Sequence, residues 1–269
     1  MNIEKFISIT CMSIFMLSVT NVHAQNGLEN IIVEKYYVSD AADSIGNDAI
    51  SASPGGLPAG SVTYRIYVDM LPGYKFQMAF GEADNPLTIS TTTTFFNNED
   101  RGSTTPSYSK NSAKYNTVML DSWLSVGAAC SGNMGILKSE DNGIATVVNA
   151  DGLLQNADNS AGIPLTTQDG LIAGTPASAT FVGFKEELSV FDAISGAGNL
   201  FNITDAGWAS MNGSAGPTAA NKVLIAQITT NGVLHFELNI QLATPTGSTE
   251  KYVAKDPVGP EILFSGLTY

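Results

Sequence analysis

Apolar and polar residues alternate along much of the chain, and the dominant period is two. Over residues 62–70 the even positions are Val62, Tyr64, Ile66, Val68 and Met70, while Thr63, Arg65 and Asp69 stand opposite. This is the pattern of a strand with one buried and one wet face. Tyr74, Phe76, Met78 and Phe80 repeat it against Lys75 and Gln77. Matching the two apolar faces sets Met70 opposite Tyr74 and makes Leu71-Pro72-Gly73 the turn of a hairpin, with Gly73 supplying the left-handed position. Residues 222–230 and 233–241 form a second pair around Asn231-Gly232, a dipeptide suited to a two-residue turn. Thr229 then faces Leu234, Gln227 faces Phe236 and Ile225 faces Leu238.

Further strand-like runs cover residues 31–38, 87–96, 115–120, 123–126, 144–148, 179–184 and 261–264, rich in β-branched and aromatic side chains. Helical periodicity is confined to short turns near 186–194 and 205–211. Many short strands punctuated by Asx-Gly pairs predict an all-β chain, an antiparallel β-sandwich with long polar loops, for which a jelly-roll order is one arrangement. The polar stretches 39–60, 97–114 and 139–178 are long for loops of a compact domain, a length associated with function or with mobility. Residues 25–269 read as one sandwich domain, and a two-half organisation would place its boundary near 140–178.

The beginning of the chain changes the picture of compartment. Lys5 precedes a mostly apolar run from Phe6 to Val19, and Val22-His23-Ala24 has the small-x-small form of a signal-peptidase site. Residues 1–24 are therefore expected to be a signal peptide, and the product to be secreted, extracellular or held at the cell surface. The apolar run is shorter than the ~20 residues of a spanning helix, and no membrane insertion is expected after cleavage. Cleavage removes one acid and one base, so the formal net charge stays at −13. A surface of that sign repels nucleic acid and anionic lipid. Cleavage also leaves Cys130 and His235 as the last residues of their kinds, so no internal disulfide forms and the fold must rest on its core.

That inventory narrows the chemistry. His235 falls in mid-strand, away from converging loops, which disfavours a serine-type triad. Cys130 sits among small residues with no basic neighbour and reads as a buried hydrophobe. One Cys and one His do not make a zinc site. No catalytic residue is singled out, and the expectation is a protein that is not an enzyme and needs no cofactor. Calcium stays open because the loops are rich in oxygen ligands, with Asn97, Glu99 and Asp100 as the candidate metal set, although they do not follow the twelve-residue calcium loop. Glycoside hydrolysis needs two carboxyl groups across a cleft, and no pair stands out among the many acids. Sugar binding would use aromatic platforms with polar side chains, and the candidates are Trp123, Tyr108 and Tyr115 with Asn98, Asp100 and Arg101. Trp123 also reads as a core residue of a strand.

Three segments carry a resemblance: Ser61-Val62-Thr63-Tyr64-Arg65-Ile66-Tyr67-Val68, Thr94-Phe95-Phe96-Asn97-Asn98, and Leu120-Asp121-Ser122-Trp123-Leu124-Ser125-Val126-Gly127. They resemble uncharacterised secreted β-rich modules of Bacteroidota and other aquatic bacteria, which often accompany cell-surface or type IX sorting domains. The resemblance implies an exported module and says nothing of chemistry. Three functions are consistent with these observations. The first is a non-enzymatic binding or structural protein with a polysaccharide or an envelope protein as partner. The second is a carbohydrate-active hydrolase or lyase on a sandwich scaffold. The third is a subunit that self-assembles through an edge strand; the oligomeric state is left open by the sequence.

Overall fold

A computed structural model describes residues 26–44, 56–109, 112, 117–143, 168–192 and 198–269. The expected signal peptide and the strand-like run at 144–148 lie outside the described residues, as does most of the expected two-half boundary. The fold is all-β. Its strands are β1 (Leu28–Val38), β2 (Val62–Met70), β3 (Lys75–Gly81), β4 (Leu87–Thr91), β5 (Trp123–Leu124), β6 (Ala128–Cys130), β7 (Asn133–Gly135) and β8 (Leu171–Ala173). They continue with β9 (Thr180–Val182), β10 (Leu200–Ile203), β11 (Ala206–Ser214), β12 (Lys222–Thr230), β13 (Leu234–Glu237), β14 (Asn239–Ala243), β15 (Thr249–Val253) and β16 (Ile262–Leu263). A four-stranded sheet, β1-β2-β12-β5, and a six-stranded sheet, β16-β15-β14-β3-β11-β9, make the sandwich, with three-stranded sheets β10-β4-β13 and β6-β7-β8 beside them. Pairing is antiparallel except for β15 with β16.

Neither expected hairpin forms. β2 pairs with β1 and β12, whereas β3 pairs with β11 and β14; β12 pairs with β2 and β5, whereas β13 pairs with β4. Each short link therefore carries the chain from one sheet to another. The apolar face of β2 was read correctly from the alternation, but bulges interrupt the period in β3 and β12. Ala79 therefore replaces Met78 and Phe80 beside Phe76 in the core, and Ala226 and Ile228 replace Gln227 and Thr229 beside Val223. Gly73 does take a positive φ of 85°. Asn231 and Gly232 do not, and Gly232 donates its N–H to Thr230 Oγ1 at 2.9 Å. Two local expectations also change: residues 206–211 lie within strand β11, and Val118–Leu120 is a 3-10 turn, not a strand.

The first core fills the space between the sheets. Ile66, Val68 and Met70 of β2, Val223 and Ile225 of β12, Phe76 of β3 and Ile240 and Leu242 of β14 are all fully buried there. Trp208 joins them and donates its indole N–H to the carbonyls of Ser125 and Ile225 at 3.1 and 3.2 Å.

The opposite face of the four-stranded sheet was expected to be wet, yet Thr63, Arg65 and Tyr67 on it are 0% exposed. A second core covers it, in which Tyr36, Tyr67, Trp123 and Leu224 pack against Val118, Met119, Leu120, Ala129, Cys130 and Leu171. Tyrosines suit this role because the ring is apolar and the hydroxyl still finds an acceptor. Tyr36 donates to Asp169 O at 2.7 Å, Tyr67 to Ile136 O at 2.8 Å and Tyr108 to Ala129 O at 2.7 Å. The covering segment is thus bonded to the face it covers.

Arg65 lies at the centre of that interface. Its guanidinium sits 3.5 Å from the centroid of the Tyr36 ring, Nε donates to Gln227 Oε1 at 2.9 Å and Nη1 to Gly170 O at 3.3 Å. Among the described residues no carboxylate comes within the 4.0 Å of an ion pair with it. Its cross-strand neighbour Glu34 instead accepts the backbone N–H of Lys138 at 2.8 Å. Burial pushes the Glu34 carboxyl up, while Arg65 and that N–H pull it down less strongly. Lys138 is 2% exposed, donates to the carbonyls of Lys35 and Tyr36, and is pulled down to about 8 by burial. It thereby occupies carbonyls at the C-terminal end of β1, an edge strand.

The two tryptophans fall one in each core, which makes them separate reporters. Trp123→Phe leaves Trp208 to report the inner core, and Trp208→Phe leaves Trp123 to report the outer one. Because the tyrosine bonds fuse the covering segment to the sheet, each variant is expected to show the same urea midpoint by fluorescence as by far-UV circular dichroism. A Trp123 signal lost at lower urea than the sheet signal would show the outer core to be a separate layer.

Candidate functional site

The loop that follows β4 is shaped by one buried acid. Asp121 ends the 3-10 turn Val118–Leu120 and is 1% exposed. Its Oδ1 accepts the N–H of Asn98 at 2.8 Å and its Oδ2 that of Ser103 at 3.1 Å. Asn98 in turn folds the residues between them: its Oδ1 accepts the N–H groups of Asp100 and Arg101 at 3.2 and 2.9 Å, and its amide donates to Thr117 Oγ1 at 3.0 Å. This is the local bonding by which Asn replaces a backbone turn. Gly102 donates its N–H to Asn98 O at 2.8 Å. A Cβ on Gly102 would stand 2.3 Å from Asn98 O and 2.8 Å from Asp121 Oδ1, so only glycine fits. Leu124 N bonds Thr104 O at 2.9 Å and Ser131 N bonds Tyr108 O at 3.0 Å, which ties the rest of the loop to β5 and β6.

Burial pushes the Asp121 carboxyl up to about 8, and the N–H groups of Asn98, Ser103 and Ser122 pull the other way. A carboxyl held by backbone donors alone, with no cation beside it, feels burial as the larger effect.

The resulting platform borders a groove of about 440 Å³ lined by Asp100, Arg101, Gly102, Ser103, Ser107, Tyr108 and Ser109. On the other side of Ser107 lies a second hollow of about 450 Å³, whose wall includes Thr105, Pro106, Ser125, Ser131, Thr175 and Ser178. The chemistry on offer is hydroxyls, backbone groups, one carboxylate and one guanidinium. Among the described residues lining this groove Asp100 is the one carboxylate, so they supply no second acid for a hydrolytic pair.

Of the residues expected to bind, Asn98, Asp100, Arg101 and Tyr108 come together here, in different roles. Asp100 and Arg101 are exposed at the groove, whereas Asn98 lies beneath it as scaffold. Tyr108 and Trp123 are buried in the second core, which corrects their expected role as platforms: a ring packed on both faces has none left to stack on a sugar. Tyr115 lies outside the described residues. Of the expected metal set, Asn97 turns its amide to Val190 O at 2.8 Å, Glu99 is exposed and Asp100 faces the groove. Among the described residues no three His, Cys, Asp or Glu side chains cluster to hold a metal. His235 is exposed on β13 and Cys130 is buried.

Sequence reasoning missed Asp121, Gly102 and the three serines. An acid within the apolar run Val118-Met119-Leu120-Asp121-Ser122-Trp123 was the available signal, since a carboxylate there must be bonded if the run is buried. Comparison of the chain with protein-family models, with curated proteins and with solved structures finds no match.

The raised carboxyl has a direction that can be measured. In the unfolded chain Asp121 titrates near 3.8, whereas the fold holds its proton up to about 8. Its contribution to stability is therefore complete below 3.8 and is lost as pH rises through 8. Asp121→Asn removes that titration, so the melting temperature of the native protein should fall relative to the variant as pH rises across this window. A difference that is flat, or that grows in the native protein's favour, would rule out the raised carboxyl.

Proposed function

We propose that the protein is an exported, non-enzymatic binding module that holds a neutral, polyhydroxylated ligand, of the kind an extracellular polysaccharide presents, in the groove beside residues 100–109. The observation that carries this reading is the combination of a hydroxyl-rich lining with a backbone immobilised from below. Ser103, Ser107 and Ser109 both donate and accept, as sugar hydroxyls do. Asp100 and Arg101 add one acceptor and one multiple donor at the same rim. Pre-organisation of this kind reduces the entropy lost on binding. Assembly by strand addition is less favoured: the edges of the six-stranded sheet, β16 and β9, are two and three residues long, and the longer edge β1 of the four-stranded sheet has the carbonyls of Lys35 and Tyr36 taken by Lys138.

The test is a panel of neutral and acidic polysaccharides measured by calorimetry against the native chain, Arg101→Ala and Ser107→Ala. A neutral polysaccharide is expected to bind, and each variant to weaken it about tenfold, the loss of roughly one charged or one neutral hydrogen bond. Release of new reducing ends from a bound polysaccharide would replace this reading with a hydrolase. Binding that neither variant weakens would move the site elsewhere.

A further inference from the structure

One side chain joins the buried guanidinium to the groove. Gln227 stands between Arg65 and Trp123 in a straight cross-strand row, β2 to β12 to β5. Its Oε1 accepts from Arg65 Nε at 2.9 Å. Its Nε2 donates to two carbonyls of the covering segment, Met119 O at 2.8 Å and Asp121 O at 2.7 Å. Those carbonyls flank Leu120 and hold the turn from which the Asp121 carboxyl reaches Asn98 and Ser103.

We propose that Arg65, acting through Gln227, is a positioning residue for the groove: it anchors the amide that fixes Asp121, and so sets the backbone of residues 98–103. Stability alone does not account for the residue. Its charge is fully buried, no carboxylate pairs with it among the described residues, and Nη2 is buried without a hydrogen-bond partner. An apolar side chain of similar volume would not carry the desolvation cost that this unpaired charge carries. What an apolar side chain does not supply is the Nε donor. Without it Gln227 Oε1, on a residue with no exposed surface, is a buried acceptor with no donor. The amide then swings to find one and lets go of Met119 and Asp121. The geometry also explains the kind of cation present. A lysine ammonium is a point charge, whereas the guanidinium sits 3.5 Å over the Tyr36 ring while directing Nε to Gln227 Oε1.

The inference rests on the groove as the binding site, but its geometric half is read without any ligand. Arg65→Met is compared with the native chain by amide hydrogen exchange, with the amides of β3 and β14 as internal reference for the inner core. Exchange at Asn98 and Ser103 should accelerate at least about tenfold while the reference amides stay unchanged. Affinity for the polysaccharide should fall with it. A second measurement needs no substitution: in the native chain the Gln227 side-chain NH2 should open with the same denaturant dependence as the Asn98 and Ser103 amides. Exchange at 98 and 103 that is unchanged in Arg65→Met, or that rises only in step with the reference amides, overturns the positioning role. Gln227 protons that open independently of those amides overturn it too, even if Arg65→Met does not fold. Altered loop exchange together with an Arg101→Ala variant that binds normally would instead keep the positioning and discard the groove as the site.

Discussion

A guanidinium removed from water must be solvated by the protein, and in this fold the solvation of Arg65 dictates what lies above the four-stranded sheet. The Tyr36 ring, the Gln227 amide and the Gly170 carbonyl come from a strand of that sheet, another strand, and the covering segment respectively. None of the three suffices alone. A cation over a desolvated ring gains roughly 2 kcal/mol, far less than the several kcal/mol lost on burying the charge. The sheet face is therefore stable only with its cover closed. Gly170 shows how tight the closure is, since a Cβ there would stand 2.7 Å from Ile136 O and 3.0 Å from Arg65 Nη1.

The charge distribution follows the same logic from the opposite sign. The chain carries 25 acids and 12 Lys plus Arg, yet two of the most deeply buried charged groups on the covered face are cations, Arg65 and Lys138. Among the acids inside, Asp43 and Asp121 have their carboxyls raised by desolvation, as does the partly exposed Glu34. They are bonded to backbone N–H groups instead of to cations. Acids inside this molecule organise backbone, and those outside, such as Asp100 at the groove, give the surface its sign.

What could be read from the sequence was the all-β character of the chain and the inner face of β2. Alternation marks the faces of β2 correctly but fails partway along β3 and β12, where a bulge shifts the period. In β2 the alternation was assigned a wet side that holds Arg65 and Tyr67 because period two does not say what covers a face. Pairing was not legible either. Asn231-Gly232 favours a hairpin locally, but β12 has neighbours on both sides already, β2 and β5, so β13 has no edge there to join. At the groove, Asn98, Asp100 and Arg101 were singled out because loops rich in such residues are suspect as a class. Tyr108 was misplaced for the converse reason, and Trp123 took the core reading over the platform one: aromatic residues near loops serve a core as readily as a surface. Gly102 and Asp121 depend on a contact between segments that sequence spacing does not reveal.

The two sheet-crossing links have a consequence for when this chain acquires its shape. Because β2 and β12 are adjacent in space and separated by more than half the sequence, the central strand of the four-stranded sheet lacks a neighbour until β12 has been made. Few of the long ladders join consecutive strands, so loop closure must precede most of the stabilising contacts. Such a topology folds late and slowly from a nearly complete chain. That delay leaves the polypeptide extended, with its central strand open on one side, until nearly all of it has been made.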